Sequence, residues 1–299
     1  MSLKSIILGP VVILSFSIWA SCTFTNPGNK IKQEISDQGQ EYHEVEILSQ
    51  GDIIGTRISV PSGFERTNIE EGSFAKFLRD LPLKPHGSKV HYFNGEIKEP
   101  EGIYVAVIDL DIGDRDLQQC ADAVMRLRGE YLFKHGEYDQ IHFNFTSGDT
   151  AKFTSYATGY RPKVSGNNVS WYKRAVEDYS YESFRNYMTM VFGWAGTYSL
   201  SREMESVRSP GQANIGDVFI YGGFPGHAVI IVDMAFNKTT GETIFLLAQS
   251  YMPAQEIQIL CNNNKPYISP WYLLKDTGIL NTPEWDFDFS DLRRFKNSN

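Results

Sequence analysis

Cys120 and His227 supply a thiol and an imidazole, the pair best suited in this sequence to nucleophilic and general-base chemistry, and Gln249 offers an amide to go with them. A thiol attacks only as thiolate, and the first turn of a helix favours that form through its aligned dipoles and unpaired amides. The stretch DLQQCADAVMRLRGEYLFKHG repeats apolar residues at helical spacing, Leu117, Cys120 with Ala121, Val124, Leu127 and Tyr131, and stops at Gly136. That spacing predicts a helix with Asp116 as N-cap, Gln119 as its reciprocal capping partner and Cys120 in the first turn. A base must also reach the sulfur, and a polar group must hold the imidazole in one tautomer. HAVIIVDMAF (227–236) and TIFLLAQSY (243–251) read as strands joined by the loop Asn237 to Gly241. A turn centred near Thr239 sets His227 opposite a residue within two places of Tyr251, which brings Gln249 beside the imidazole. Asp233, on the same strand as His227, is the competing orienter.

Each residue has a plainer alternative. Cys120 sits on the apolar stripe of its helix, so it suits a packed core thiol or a disulfide with Cys261 as well as a nucleophile. His227 opens a strand after a turn-rich stretch, where a hydrogen-bonding His is common, and Gln249 fits a buried amide satisfied by the backbone. The six His residues are scattered, without HExxH or CxxC spacing, so no metal and no cofactor is expected. Tyr156, Tyr160, Trp171, Tyr172, Trp271, Tyr272 and Trp285 are candidates to line a peptide or glycan groove.

The elements that must position these groups alternate along the chain without repeats. DIIGTRISV (52–60) reads as a strand; Ser73 caps a short helix, FAKFLRDL, that stops at Pro82; GIYVAVIDL (102–110) reads as a buried strand. A second long helix is expected from Tyr181 to Glu205, with Gly193 and Gly196 allowing close packing, and the last third reads as sheet over 216–223, 227–236, 243–251 and 254–261. The pattern predicts one α+β domain over 42–299. With 41% hydrophobic residues the chain can bury a large core. Its net charge of −8 and lack of a basic tract argue against a nucleic-acid partner.

Residues 1–21 carry Lys4, an apolar run from Ile6 to Ala20 and the small pair Ala20-Ser21, the layout of a secretory signal. The run is interrupted by Pro10 and falls short of the roughly 20 apolar residues a membrane-spanning helix needs. Cys22 directly after the small pair resembles the lipobox of bacterial lipoproteins, which implies acylation of Cys22, a polar tether over 22–41, and attachment to the membrane at the cell envelope.

His227-Ala228-Val229, followed one strand later by Gln249-Ser250-Tyr251, resembles the papain-like cysteine peptidases, whose base opens a strand reading His-Ala-Val and whose orienting Asn precedes Ser-Trp. Gly216-Asp217-Val218-Phe219 before Gly226-His227 is similar to the NlpC-type and CHAP branch, many of whose members cut cell-wall peptides. Here a Gln stands in place of the Asn. The resemblance implies a nucleophile helix packed on an antiparallel sheet, with Cys120 as nucleophile, His227 as base and Gln249 as orienter, Gln118 as a candidate oxyanion donor, and a peptide or glycan of the cell wall as partner. A transferase of the transglutaminase kind would share the thiol and favour Asp233. DLQQCADAVMRLRGEYL and GFPGHAVIIVDMA also resemble stretches of a bacterial lipoprotein family known only as domain of unknown function 4846, a likeness that covers about residues 50 to 290 and implies no activity.

Overall fold

The computed structural model describes residues 34–35, 41–42, 45–99 and 101–296; the expected signal segment, Cys22 and most of the tether lie outside them. Glu34–Ile35 of the expected tether pairs antiparallel with Glu41–Tyr42, which spans its junction with the domain.

An α+β domain is what the described residues form. Its frame is a nine-stranded antiparallel sheet of β1 (Glu65–Arg66), β2 (Tyr104–Val107), β3 (Glu205–Ser206), β4 (Val218–Tyr221), β5 (His227–Phe236), β6 (Thr243–Gln249), β7 (Gln258–Leu260), β8 (Tyr272–Leu273) and β9 (Leu292–Arg294). Along the sheet the order is β2-β7-β6-β5-β4-β9-β3, with β1 also paired to β5 and β8 to β6. Six helices accompany it: α1 (Ile54–Arg57), α2 (Phe74–Arg79), α3 (Cys120–Lys134), α4 (Phe153–Ala157), α5 (Tyr181–Phe192) and α6 (Thr197–Glu203).

Strand β5 is the centre, and both its faces are covered. Ala228, Ile230 and Val232 share one core with Ala121, Val124 and Leu127 of α3 and with Phe184 and Met188 of α5. Val229 and Ile231 share another with Phe219, Phe245, Leu247, Phe287 and Phe289. Two buried faces explain why this strand reads as a nearly unbroken apolar run. Alternation along a strand then places His227 with Val229 and Ile231, on the face away from α3.

The hairpin register follows the expected turn. Ile230 pairs with Ala248 and Ile231 with Leu247, a register that, extended past the end of β6, sets Tyr251 opposite His227. A bulge between Ile231 and Asp233 shifts the remaining pairs, Asp233 with Leu246 onward. The bulge turns Asp233 to the helix side, where it meets Arg66 of β1 at 2.7 Å and Arg79 of α2 at 2.6 Å. Asp233 therefore does not orient His227.

Three segments depart from the periodicity. Residues 52–60 hold a helical turn, α1, because Arg57 is buried and bonds the carbonyls of Gly51 and Lys84. The expected helix 181–205 breaks into α5 and α6, with Gly193 as C-cap of the first and Gly196 as N-cap of the second. Only Gln258–Leu260 of the segment 254–261 joins the sheet. Ser73 caps α2 as expected, its hydroxyl accepting from the Lys76 amide.

Candidate functional site

Helix α3 begins at Cys120 itself, one turn later than an Asp116 cap would start it. Its N-cap is Gln119, whose amide donates to Asp122 Oδ2 at 3.1 Å. Asp116 acts from outside the helix: its Oδ1 accepts from Gln119 Nε2 at 3.0 Å and from the Ala254 amide at 2.7 Å, tying the approach to the helix to the segment after β6. Nearly the whole of α3 is buried, so its N-terminus is held against the start of the central strand by the core rather than by its cap.

Where that N-terminus meets the start of β5, Cys120 Sγ lies 4.0 Å from the carbonyl oxygen of Gly226. The amides of Cys120, Ala121 and Ala228 also face the sulfur. The thiol is thus set against the backbone on both sides of His227, while its hydrogen bond goes to Gly226 and not to the imidazole. Gly226 has no room for a side chain, since a Cβ there would come within 2.3 Å of Thr197 Oγ1 and 2.6 Å of the Tyr221 oxygen. Any larger residue would push the turn away from the sulfur.

Burial decides the resting state of both groups. Despite the helix terminus and the facing amides, loss of water, aided by the nearby Asp122 carboxylate, pushes the Cys120 thiol up to about 12. The lowered thiol pKa expected from the helix dipole is overturned by desolvation. The imidazole of His227 is pushed down to about 4, mainly by burial, with the Lys98 ammonium adding to the effect and the Gln249 bond opposing it. Near neutral pH the two are a thiol and a neutral ring.

Gln249 fixes that ring. His227 Nε2 and Gln249 Oε1 are 2.9 Å apart, and Gln249 Nε2 donates to Glu284 at 2.5 Å. Because the amide nitrogen is committed to a carboxylate, its oxygen must face the ring; His227 Nε2 then carries the proton and Nδ1 is the basic nitrogen. Glu284 is held in turn by the buried Lys98, whose Nζ lies 2.7 and 2.9 Å from its two oxygens. Tyr251, Trp285 and Phe287 surround the imidazole at ring-centre distances of 4.8, 5.6 and 5.8 Å.

A cavity of about 240 Å³ opens over Cys120. Its walls are the segment before α3, the link between α5 and α6, the loop 223–226 and Met252, and Phe224 stands 80% exposed at its rim. Gln118 is not in the wall. It is buried, its Oε1 accepting from Arg126 at 2.9 Å, whereas Gln119 does line the cavity. Nor do the aromatic candidates line it: Trp271 is core, Trp285 backs the imidazole, and Phe192 and Phe224 face the opening instead. Cys120 and Cys261 are thiols rather than a disulfide.

The sequence pointed to Cys120, His227 and Gln249; the structure joins His227 to Gln249 at 2.9 Å, while Cys120 bonds the Gly226 carbonyl and lines a cavity whose wall includes neither His227 nor Gln249. The sequence missed Lys98, Asp122 and Glu284. Asp122 had a signal, an acid at the third position of a helix, but Lys98 and Glu284 are 186 residues apart and carry none. Among the described residues no group of three potential ligands could hold a metal ion, and no helix is long and apolar enough to cross a membrane.

The depressed His227 pKa makes stability depend on pH. The unfolded ring, near 6.5, takes up a proton that the folded ring, near 4, refuses, so this contribution is complete above pH 6.5 and is lost as pH falls toward 4. It amounts to about 3 kcal/mol. Urea unfolding of the wild type and of His227→Gln from pH 4 to 7.5 should give curves that diverge as pH rises through this window; parallel curves would refute a buried neutral ring.

A protein-family model described as "Domain of unknown function (4846)" matches residues 54–294. No curated protein and no solved structure matches the chain.

Proposed function

The chain belongs to the family of domain of unknown function 4846, and we propose that it is a papain-like cysteine hydrolase of the bacterial cell envelope, anchored by lipid at Cys22 and cleaving peptide amides of the cell wall. The observation that carries this reading is a helix-starting thiol that lines a cavity and bonds the carbonyl of Gly226, the residue before His227, whose imidazole is locked by Gln249. In this mechanism Cys120 turns from the Gly226 carbonyl and passes its proton to His227 Nδ1 as the sulfur attacks the scissile carbonyl carbon. The oxyanion is met by the Cys120 amide, a role that the buried Gln118 leaves to the backbone. Collapse of the tetrahedral species breaks the carbon–nitrogen bond, the proton goes from His227 to the leaving amine, and a thioester remains. Water, deprotonated by the same ring, then releases the acid and restores the thiol.

A second reading, a non-catalytic module that binds envelope peptide or glycan, is favoured by the thiol's upward shift and by its bond to a carbonyl rather than to the ring. Incubating the full chain with soluble peptidoglycan fragments separates the two. Hydrolysis predicts new peptide termini and a mass adduct mapped to Cys120, both absent from Cys120→Ser and His227→Ala. Fragments that bind but leave Cys120 unmodified and uncleaved products behind would establish the binding module and remove the hydrolase.

A further inference from the structure

The cavity above Cys120 is lined by two carboxyl groups, Asp116 and Asp122, and by no Lys, Arg or His. The remainder of the wall is glycine, alanine, apolar side chains, Gln119, Cys120 and Thr197. Asp116 is exposed at the mouth. Asp122 is only 6% exposed, and while its Oδ2 takes the Gln119 amide, its Oδ1 is buried without a hydrogen-bond partner. A desolvated carboxyl with an unfilled oxygen is costly unless a donor meets it.

The protein's own cations do not fill the need. Arg126, one turn along α3, is spent on Glu130 at 2.6 Å and on Gln118. Arg185 of α5 pairs with Asp111 at 3.0 Å. Lys98 is taken by Glu284. Neither Asp116 nor Asp122 has an ion pair among the described residues, and burial holds the Asp122 carboxyl well above the usual carboxylate range, the state of an acid waiting for a counter-charge.

We infer that this cavity selects substrates bearing a primary ammonium close to the scissile carbonyl, with Asp122 as the residue that receives it and Asp116 as the charge that draws it in. The inference rests on the hydrolase reading for the word substrate, but the charge preference belongs to the cavity itself. An ammonium brings both a positive charge and the hydrogen the free Oδ1 lacks, and on binding it leaves Asp122 ionised. A carboxylate in the same place would face two acids across a desolvated gap. At about 240 Å³ the space falls below the roughly 300–1,000 Å³ of pockets for drug-sized ligands, so it holds one residue-sized group rather than a long chain.

The test uses the thiol as reporter and needs no turnover. The full chain is treated with 2-aminoethyl methanethiosulfonate, a cation, and 2-sulfonatoethyl methanethiosulfonate, an anion, each rate at Cys120 being mapped by mass spectrometry and divided by the rate with free cysteine. The cation is expected to win by at least about tenfold, in the range that focused charge gives to association rates. Asp122→Asn should bring the ratio to within about threefold of one. That substitution keeps an oxygen for the Gln119 amide, and its effect on the thiol pKa cancels in the ratio. Asp116→Asn should lower the ratio only in part. A wild-type ratio near one, an unchanged ratio in Asp122→Asn, or a native Cys120 closed to both reagents overturns the inference. If the ratio holds while peptidoglycan fragments are never cleaved, the hydrolase falls and a cation-selective binding cavity stands; cleavage with a flat ratio has the opposite meaning.

Discussion

Lys98→Met is expected to lower the unfolding free energy by roughly 3–5 kcal/mol, because it leaves Glu284 as an uncompensated charge beside a buried ring system. Lys98 is 2% exposed and burial pulls its ammonium below the usual lysine range, while its two contacts to Glu284 oppose that shift. Those contacts also hold the carboxylate that receives Gln249 Nε2. Urea midpoints of wild type, Lys98→Met and Lys98→Met/Glu284→Gln would measure the effect. The double variant should recover more than half of the loss, since it removes the orphan charge. A loss below about 1 kcal/mol in the single variant would place the pair among surface bridges instead. If the domain hydrolyses amides, the double variant carries a further signature. A Gln at 284 can donate as well as accept, Gln249 is then free to turn over, and kcat should fall with little change in KM.

Asp233→Ala should be as damaging, again by roughly 3–5 kcal/mol, and for a reason that has nothing to do with the site. The carboxylate is completely buried, takes Nε of Arg66 and of Arg79 on its two oxygens and accepts the Met234 amide at 2.8 Å. Removing it strands two guanidinium groups where β1 and α2 meet the central strand. Asp233→Asn keeps one acceptor and should lose about half as much. Chemical denaturation gives both values; an Ala variant as stable as wild type would mean that the two arginines find water. Asp233 lies six residues from His227, on the order of 20 Å along the strand. The methanethiosulfonate rates at Cys120 should therefore not change in Asp233→Asn, which separates this anchor from the orienter role that strand position alone suggested.

Much of the frame was readable from local pattern. The apolar periodicity around Cys120 marked α3, the loop Asn237 to Gly241 set the register of β5 against β6, and that register brought Gln249 to His227. These are short-range facts, governed by helical spacing, a turn and the two-residue pleat. The errors arose where a distant residue overruled the local one. Arg57 wound a strand-like segment into a turn by reaching Gly51 and Lys84. One extra residue at the bulge moved Asp233 to the other face of its strand.

The chemistry divides in the same way. Side-chain type and spacing determined that a thiol would begin a helix and that an imidazole and an amide would stand together on neighbouring strands. Only the tertiary structure decided how acidic the thiol is, because a pKa depends on the water that packing removes: burial outweighs the helix terminus and lifts Cys120 to about 12. It also decided that the amide of Gln249 faces the ring through its oxygen. That choice is made by Glu284 and Lys98, which the fold brings to the site from positions that no local pattern links.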